Sequence, residues 1–401
     1  MMQRSIVHTA GVPQDAPLRG PLRVDVVTRE GLRALAEWRH AFAHERKDHR
    51  YYELIEDTLH PEFDYRYFVI SDARGGVCAV QPFFLLDQDL LAGMAPSLRR
   101  LVDAARHPFP HFMRARTLMV GCVAGEGHLD GAAASSVAVA EMLARTMQHH
   151  ARALGARLIV LKEFPARYRS TLDCFVDHGF SRIPSMPMTK VRIDYASFED
   201  YMNRALNSAT RKKLRKKFQA TEGAAPIEMT VVCDVTPVIA QVYPLYLEVY
   251  RRSKLHFEKL TADYFCELGR RMPDKVRFFL WRQSGRIVAF SACMLGGDAI
   301  YAEYIGLDYD VALDLHLYHH AYRDMIRWAI ANGYTWFRSS GLNYDPKLHL
   351  RHSLDPIDLY VRHTSEPINA AMKRLLPLIE PTRYDKTLAK FGNYHELRAS
   401  S

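Results

Sequence analysis

The sequence predicts an α/β protein made of two copies of one unit in tandem. The first copy is expected over residues 21–195 and the second over residues 196–365. Each shows the order strand, helix, antiparallel strand pair, further strand, helix and strand. Glycine-containing turns at residues 73–76 and 284–286 join the antiparallel pair of each copy. A length of 401 residues suits two domains of ordinary size.

The elements are predicted from the spacing of apolar residues and from glycines that end helices. Strands are predicted at residues 22–27, 67–70, 77–86, 116–120, 157–163, 227–232, 276–281, 287–295, 299–306, 335–339 and 357–363. Helices are predicted at residues 28–44, 132–154, 168–178, 238–252, 262–271 and 310–331. A strand joined to the next through a helix makes a parallel pair, so both sheets are expected to be mixed and partly parallel.

The two ends of the chain are expected to differ from the body. Residues 1–20 contain prolines and no apolar segment, which indicates a flexible tail rather than a signal peptide. Residues 366–401 are expected to form a helical tail. No stretch approaches 18 consecutive apolar residues, so no membrane span is expected. Six scattered cysteines without a C-x-x-C motif favour free thiols in a reducing cytoplasm. The sequence is silent on oligomeric state.

The most basic segment of the chain is a predicted helix over residues 208–222, between the two copies. Six of its seven residues from 211 to 217 are cations, and they account for most of the net charge of +9. They are Arg211, Lys212, Lys213, Arg215, Lys216 and Lys217. Like charges four residues apart disfavour a helix by a few tenths of a kcal/mol per pair, about 1 kcal/mol in total. An anion, and phosphate above all, is the natural ligand for Arg211, Lys212 and Arg215, whereas a solvated helix face is the alternative.

Two segments resemble a known family. The connecting segment SFEDYMNRALNSATRKKLRKKF and the later segment GLNYDPKLHLRH are similar to those of tandem GNAT proteins in the FemAB-like group of N-acyltransferases. The resemblance implies two GNAT-like domains, with acyl-CoA as co-substrate, and a transferase that delivers an acyl group to an amine. Transfer from acyl-CoA or an acyl carrier protein to a small, anionic amine acceptor is expected, by direct attack and without a covalent acyl-enzyme. The alternatives are an aminoacyl-tRNA-dependent aminoacyltransferase and a non-catalytic polyanion-binding protein.

Strand residues 299–306 supply the expected general base. A carboxylate in the apolar run AIYAEYIG is costly to bury without a function, so Glu303 is the candidate base and Tyr304 a substrate contact. The alternative is that Glu303 faces solvent. Asp310, which follows the strand, is expected to cap the next helix rather than to take part in catalysis.

The segment GLNYDPKLHLRH is the second candidate. Tyr344 can protonate a departing thiolate, and the resemblance places the motif lysine of the family at Lys347, where it can stabilise an oxyanion. Asn343 and Arg351 are expected to contact the substrate. A polar turn that merely carries charge is the alternative.

The glycine-rich segment VGCVAGEGHLDGAAASS offers a cofactor site in the first copy. Gly125, Gly127 and Ser135 lie between a predicted strand and a long helix, a context that suits a backbone cradle for phosphate. A glycine-rich surface turn is the alternative. His316, His319 and His320 lack a carboxylate or cysteine at ligand spacing, so no metal is expected.

Overall fold

The computed structural model describes residues 20–59, 63–89, 114–222, 226–253 and 257–399, and it contains two mixed β-sheets of seven strands each. The strands are β1 (Arg23–Val27), β2 (Asp64–Ser71), β3 (Val77–Asp89), β4 (Arg114–Val120), β5 (Leu158–Pro165), β6 (Ser181–Pro184), β7 (Met188–Arg192), β8 (Ile227–Val232), β9 (Val276–Gln283), β10 (Arg286–Gly296), β11 (Ala299–Leu307), β12 (Trp336–Ser339), β13 (Ser353–Asp355) and β14 (Ile357–His363). The expected α/β class with two tandem GNAT-like units is confirmed. Residues 1–19, most of the expected N-terminal tail, lie outside the described residues.

Helices cover the sheets, and a helical segment ends the chain. They are α1 (Arg29–Arg33), α2 (His49–Thr58), α3 (Gly131–Ser135), α4 (Val137–Ala153), α5 (Arg169–Asp177), α6 (Phe198–Ala205), α7 (Ser208–Glu222), α8 (Ile239–Arg252), α9 (Ala262–Arg271), α10 (Leu317–Ala331), α11 (Tyr344–His349) and α12 (Glu366–Leu375). Short 3₁₀ turns follow α12 up to Leu397. No helix in the described part of the chain is long and apolar enough to cross a membrane.

The prediction that Asp310 caps the helix after β11 is wrong. Helix α10 begins only at Leu317, after His316 adopts a left-handed conformation at φ +49°. The carboxylate of Asp308, not that of Asp310, organises the preceding turn, since it accepts a hydrogen bond from the Asp310 N–H at 3.0 Å. Asx turns of this kind satisfy backbone donors without starting a helix.

Both sheets have the same layout. The first sheet runs β1-β2-β3-β4-β5-β14-β6, and the second runs β8-β9-β10-β11-β12-β7-β13. The first five strands of each sheet come from one copy of the unit, and the sixth comes from the other copy. Strand β14 pairs with β5 and β6, whereas β7 pairs with β12 and β13. The two units are therefore joined by an exchange of strands.

This exchange corrects one expectation. Residues 357–363 were expected to close the second unit, but as β14 they lie in the first sheet. The alternation of apolar and polar residues along a strand indicates which face is buried, but it does not indicate which strand lies beside it. Strand β7, which the sequence pattern does not predict, takes the equivalent place in the second sheet.

The parallel pairs lie at the centre of the sheets. Strands β4 and β5 pair only from Thr117–Leu158 to Val120–Leu161, and β11 and β12 only from Ala299–Trp336 to Ala302–Ser339. Beyond these points the paired strands are no longer hydrogen-bonded to each other.

The largest core cluster extends over both units. It contains Tyr51 and Tyr52 of α2 together with Tyr264 and Phe265 of α9. The two units thus share one hydrophobic core at their boundary, and a side chain placed there is shielded from water.

Candidate active site

A buried cluster of four charged side chains lies where the two units meet. It consists of Arg46, Lys47, Glu126 and Glu303. Glu303 Oε1 accepts from Arg46 Nε at 2.9 Å and lies 2.7 Å from Arg46 Nη2, and Glu303 Oε2 lies 3.3 Å from Lys47 Nζ. Glu126 pairs with Arg46 and, at 3.2 Å, with Lys47. Two cations and two anions thus balance within this site, which we call the charged cluster.

A β-bulge directs Glu303 into the charged cluster. Ala292 of β10 pairs with Tyr304 and Cys293 pairs with Ala302, so Glu303 has no residue opposite it. An extra residue of this kind re-aims a side chain and is frequent near active sites. On the same face, the ring of Tyr301 lies 3.9 Å from the guanidinium carbon of Arg46. The expectation that Glu303 faces the inside of the fold rather than solvent agrees with this geometry.

The start of α2 holds the two cations. Asp48 caps this helix by accepting from the Arg50 N–H at 3.0 Å. Its carboxylate also lies 2.8 Å from Lys275 Nζ of the second unit. Arg46 and Lys47 directly precede this cap, so the same contacts that begin the helix hold both side chains at the boundary.

The glycine-rich segment is buried rather than a surface turn. The Gly127 N–H donates to the Glu163 carbonyl at 3.2 Å, and a Cβ on Gly127 would lie 2.7 Å from the ring of Phe164. A Cβ on Gly125, whose φ is +93°, would lie 2.0 Å from Lys47 Nζ. Only glycine permits such close approach, so these residues let Glu126 reach the cations.

Neutral tyrosine hydroxyls border the charged cluster. Tyr51 donates to the Ala124 carbonyl at 3.2 Å, and its oxygen lies 2.9 Å from that of Tyr264. Burial raises the pKa of Tyr51, Tyr264 and Tyr304 well above 10. These phenols are therefore hydrogen-bond donors at any physiological pH.

A second cation and a titratable carboxyl lie next to this site. Lys162 Nζ donates to the Gly125 carbonyl at 3.0 Å and lies 2.8 Å from Glu163 Oε2. Glu258 keeps part of its surface exposed, but its carboxyl group is surrounded by protein atoms. Burial raises the pKa of Glu258 to about 7, against the attraction of Lys162. A carboxyl that exchanges its proton near neutral pH therefore borders the charged cluster.

A narrow apolar cavity opens in the first unit beyond the end of β4. Its lining residues are Tyr52, Ile55, Tyr65, Tyr67, Pro82, Phe83, Phe84, Gly121, Cys122 and Val123. Burial raises the pKa of the Cys122 thiol to about 11, so this group is protonated and a weak nucleophile. Cys122 joins the cavity to the charged cluster, because its Sγ lies 3.2 Å from the Ala124 carbonyl that Lys47 also contacts.

The charges of the cluster hold one another ionised. Burial alone would raise the pKa of Glu126, but Arg46 and Lys47 outweigh it and hold that pKa well below 4.5. In the same way burial would lower the pKa of Lys47, and Glu126 and Glu303 raise it. Four fully desolvated charges are stable only as a complete set.

The structure places Tyr344 and Lys347 one strand away from Glu303. Lys347 Nζ donates to the carbonyls of Ser340 and Leu342, the latter at 2.9 Å, and Tyr344 donates to the Pro187 carbonyl at 2.8 Å. The Ser340 N–H in turn donates to Ala302, the residue before Glu303, at 3.2 Å. Burial lowers the pKa of Lys347 to about 7. No carboxylate in the described part of the chain pairs with this lysine.

The basic helix α7 lies away from the charged cluster. Leu214 packs in the same core cluster as Ile300, whose side chain points to the sheet face opposite Tyr301. The place of α7 between the two copies in the sequence therefore does not put it at the boundary between the units in space. Arg211 instead donates to the Asn203 and Leu206 carbonyls at the end of α6.

The remaining predicted site residues are dispersed. Tyr304 lies beside Tyr264 near the charged cluster, with ring centres 6.1 Å apart. Lys212 and Arg215 are exposed on α7. Ser135 ends α3 at the surface, and Arg351 is exposed after α11. Asn343 is exposed as well, at the start of α11 with φ +47°. The structure therefore groups only Glu303, Tyr304, Gly125 and Gly127.

Sequence reasoning missed Arg46, Lys47 and Glu126. The only signal was local: ERKDHR is a charged segment that precedes an aromatic-rich helix, and Glu126 is an acid within a glycine-rich apolar stretch. Neither pattern shows that the two segments meet, since the residues are separated by some 80 positions of chain.

These features define an α/β protein with two GNAT-like units and a carboxylate enclosed between them. The sequence model of the FemAB-like family, described as peptidoglycan biosynthesis/recognition, matches residues 123–349. This match covers more than half of the chain, and the chain belongs to the FemAB-like family.

Similar proteins extend this picture. A putative 8-amino-7-oxononanoate synthase 2 of Mycobacterium tuberculosis is 25% identical in an alignment 371 residues long, which covers 85% of this chain and 46% of that protein. The chain thus spans about half the length of the curated relatives it matches. FemX has a similar fold, with a TM-score of 0.51 and 12% identity, over 81% of this chain and 93% of FemX. A tandem GNAT protein from the clavulanic acid biosynthesis pathway gives a TM-score of 0.49 at 9% identity, over 86% and 99% of the two chains.

Proposed function

We propose that the chain is an N-acyltransferase in which Glu303 accepts the proton of an attacking amine. The observation that carries this proposal is the position of Glu303, which a bulge directs into an enclosed site at the end of the β11–β12 pair. The amine nitrogen forms a bond to the carbonyl carbon of a thioester, its proton passes to Glu303, and the thiolate leaves. No covalent acyl-enzyme is required, and proton acceptance by a placed carboxylate contributes about 10²- to 10⁴-fold in rate.

The charged cluster supports a small anionic acceptor. Both oxygens of Glu303 contact cations in this structure, so neither is free for an amine. A carboxylate or phosphate group on the acceptor would compete for Arg46 and Lys47 and release Glu303. Substrate binding would thus create the base at the place where the amine arrives. Arg46 and Lys47 take over the anion-binding role that sequence reasoning gave to Arg211, Lys212 and Arg215.

The donor is proposed to be acyl-CoA or an acyl carrier protein. The apolar cavity beside Cys122 has a volume of about 10 Å³, room for about one water molecule, so an acyl chain would enter it only if the surrounding side chains moved. Lys347 and Tyr344 remain proposals for the leaving group and oxyanion, since their loop borders Ala302 through Ser340. Gly125 and Gly127 suit close packing better than a phosphate cradle, because their surroundings are filled by Lys47 and Phe164.

An aminoacyl-tRNA donor is the second candidate, and one observation favours it. Helix α7 presents Lys212, Lys213, Arg215 and Lys216 to solvent, and a row of exposed cations binds a phosphate backbone in a strongly salt-dependent manner. The same surface would serve a non-catalytic polyanion-binding protein.

Thermal unfolding with acetyl-, malonyl- and long-chain acyl-CoA, and separately with total tRNA, distinguishes these donors. Saturable stabilisation by an acyl-CoA is expected, because a ligand that binds only the folded state raises the unfolding temperature. Stabilisation by tRNA alone, lost steeply with salt, would favour the second candidate.

Thiol release from the stabilising acyl-CoA, measured with a panel of amino acids as acceptors, tests Glu303. We expect Glu303→Gln to lower the rate at least about 100-fold while stabilisation by acyl-CoA persists. The matched control is Glu199→Gln, an exposed glutamate of α6 that should retain full rate. Full thiol release by Glu303→Gln would refute its role as base.

A further inference from the structure

The exposed apolar side chains of this protein are concentrated in one C-terminal segment. Five of the nine large apolar side chains that are exposed among the described residues lie between residues 368 and 384. They are Ile368, Leu375, Leu378, Ile379 and Tyr384. The others are scattered singly, as is ordinary for a protein surface. A concentration of this kind indicates an interaction surface, which we call the C-terminal patch.

The patch is continuous across helix α12 and the turns that follow it. Ile368 and Leu375 are seven residues apart and lie on the same side of the helix. The buried side of the helix is fastened to the body, since Asn369 donates to the Gly179 carbonyl at 3.0 Å and Leu376, just after the helix, packs against the shared core. The Tyr384 hydroxyl donates to the Leu378 carbonyl, which holds Tyr384 next to the turn that follows the helix. The patch is therefore a fixed outer surface of a folded element.

Most of the described charged residues around the patch that lack an ion-pair partner are cations. Lys373, Arg374, Lys386 and Lys390 are exposed and, within the described part of the chain, pair with no carboxylate. The nearby acids are engaged elsewhere: Glu380 is buried against Arg383 and Arg398, and Asp385 accepts from the Thr387 N–H. Apolar side chains bordered by unpaired cations suit a partner whose surface is negatively charged and whose next layer inward is apolar.

We propose that the C-terminal patch docks on an anionic lipid bilayer, with its apolar side chains in the headgroup region and its cations against acidic headgroups. The cations match the acidic headgroups, and the apolar side chains match the boundary between headgroups and acyl chains. A second copy of the chain fits less well, because a two-fold interface would place the same cations opposite each other. The docking is peripheral and independent of the proposed chemistry.

Co-sedimentation of the full chain with vesicles tests this proposal. Vesicles of 30% phosphatidylglycerol in phosphatidylcholine are expected to bind the protein, and pure phosphatidylcholine vesicles at least about 10-fold more weakly. Leu375→Ser with Leu378→Ser, and separately Lys373→Glu with Arg374→Glu, should each reduce binding about 10-fold. All four positions are exposed, so unchanged thermal unfolding is expected to show that the variants fold.

Two matched controls separate the patch from general adsorption. Leu313→Ser removes an apolar side chain that is 74% exposed elsewhere, and Lys212→Glu with Lys213→Glu reverses charge on helix α7. Both are expected to leave vesicle binding unchanged. Absence of binding, or a loss through the α7 variant and not the patch variants, would overturn the proposal. The proposal would also be overturned if the protein bound no vesicles and light scattering showed that the patch variants convert a dimer to a monomer. The patch would then be occupied by a second copy of the chain.

Discussion

At the scale of single residues, the charged cluster combines a candidate general base with a buried set of charges that neutralise one another. Glu303 lies where an amine could be deprotonated, while Glu126 neutralises the cations that would otherwise be left with one anion. Removing one member of a buried ion set exposes the others to an uncompensated desolvation cost. Both glutamates are thus expected to matter for folding, and Glu303 is proposed to serve the chemistry as well.

Glu126→Gln is expected to lower the free energy of unfolding by about 3–5 kcal/mol, because Arg46 and Lys47 would then share one carboxylate. Urea denaturation measures this loss. The double variant Lys47→Met with Glu126→Gln restores the charge balance and should recover most of it. A loss no larger than that of Glu141→Gln, whose pair with Arg145 is exposed, would contradict the expectation.

The same carboxyl predicts an acid dependence of stability. The pKa of Glu126 lies well below its ordinary value of 4.5 in the folded state. Its contribution is therefore complete above about pH 4.5 and is lost as the pH falls through the folded pKa. Denaturation at stepwise lower pH should show a steeper loss for the natural protein than for Glu126→Gln. Parallel profiles would contradict this.

Lys347 predicts a dependence of the same sign at higher pH. Burial lowers its pKa from 10.5 to about 7, so between these values the unfolded chain holds a proton that the folded protein lacks. Stability should therefore rise from pH 7 to 10.5, and Lys347→Met should remove this rise. Denaturation midpoints across this range test the difference in slope, which the lost hydrogen bonds to Ser340 and Leu342 do not affect. Equal slopes would show that Lys347 is protonated in the folded state.

At the scale of elements, the basic helix α7 shows how a charged segment can belong to the scaffold. Its start is capped by Asn207, whose side chain accepts from the Thr210 N–H at 2.8 Å. Arg211 satisfies carbonyls at the end of α6, which have no partner within that helix. Part of the charge of this helix therefore serves a helix–helix connection rather than a ligand.

Arg211→Ala is expected to lower the free energy of unfolding by about 1 kcal/mol, the usual value of such hydrogen bonds. Lys212→Ala, at an exposed position beside it, should change stability by less than about 0.5 kcal/mol. Both variants should keep the thermal stabilisation by acyl-CoA. Loss of that stabilisation in Arg211→Ala would restore the anion-binding role that the sequence suggested.

At the scale of the whole molecule, the exchange of β7 and β14 makes the two units dependent on each other. Strand β14 fills the place between β5 and β6, and β7 fills that between β12 and β13. Separating the units would leave two unpaired strand edges in each sheet and would also expose the shared core. The division at residue 195 remains a prediction about sequence units, and the sheets do not follow it.

Fragments 21–195 and 196–401, expressed separately, are therefore expected to lack cooperative unfolding, whereas the full chain should unfold in one transition. Circular dichroism during heating measures this. Appending residues 353–365 to the first fragment through a flexible linker supplies β14 and should increase cooperativity. Independent two-state unfolding of both unmodified fragments would show that the exchanged strands are dispensable.

The sequence by itself determined the α/β class, the repeated order of elements and the basic helix, and it singled out Glu303 as a candidate. These depend on hydrophobic period, glycine stops and the cost of a buried carboxylate, all of which are local properties. Only the tertiary structure decided that Glu303 faces Arg46 and Lys47, that α7 lies on the other face of the sheet, and that β14 returns to the first sheet. Those facts depend on which distant segments meet, and neither period nor composition encodes the partner of a strand or of a charge.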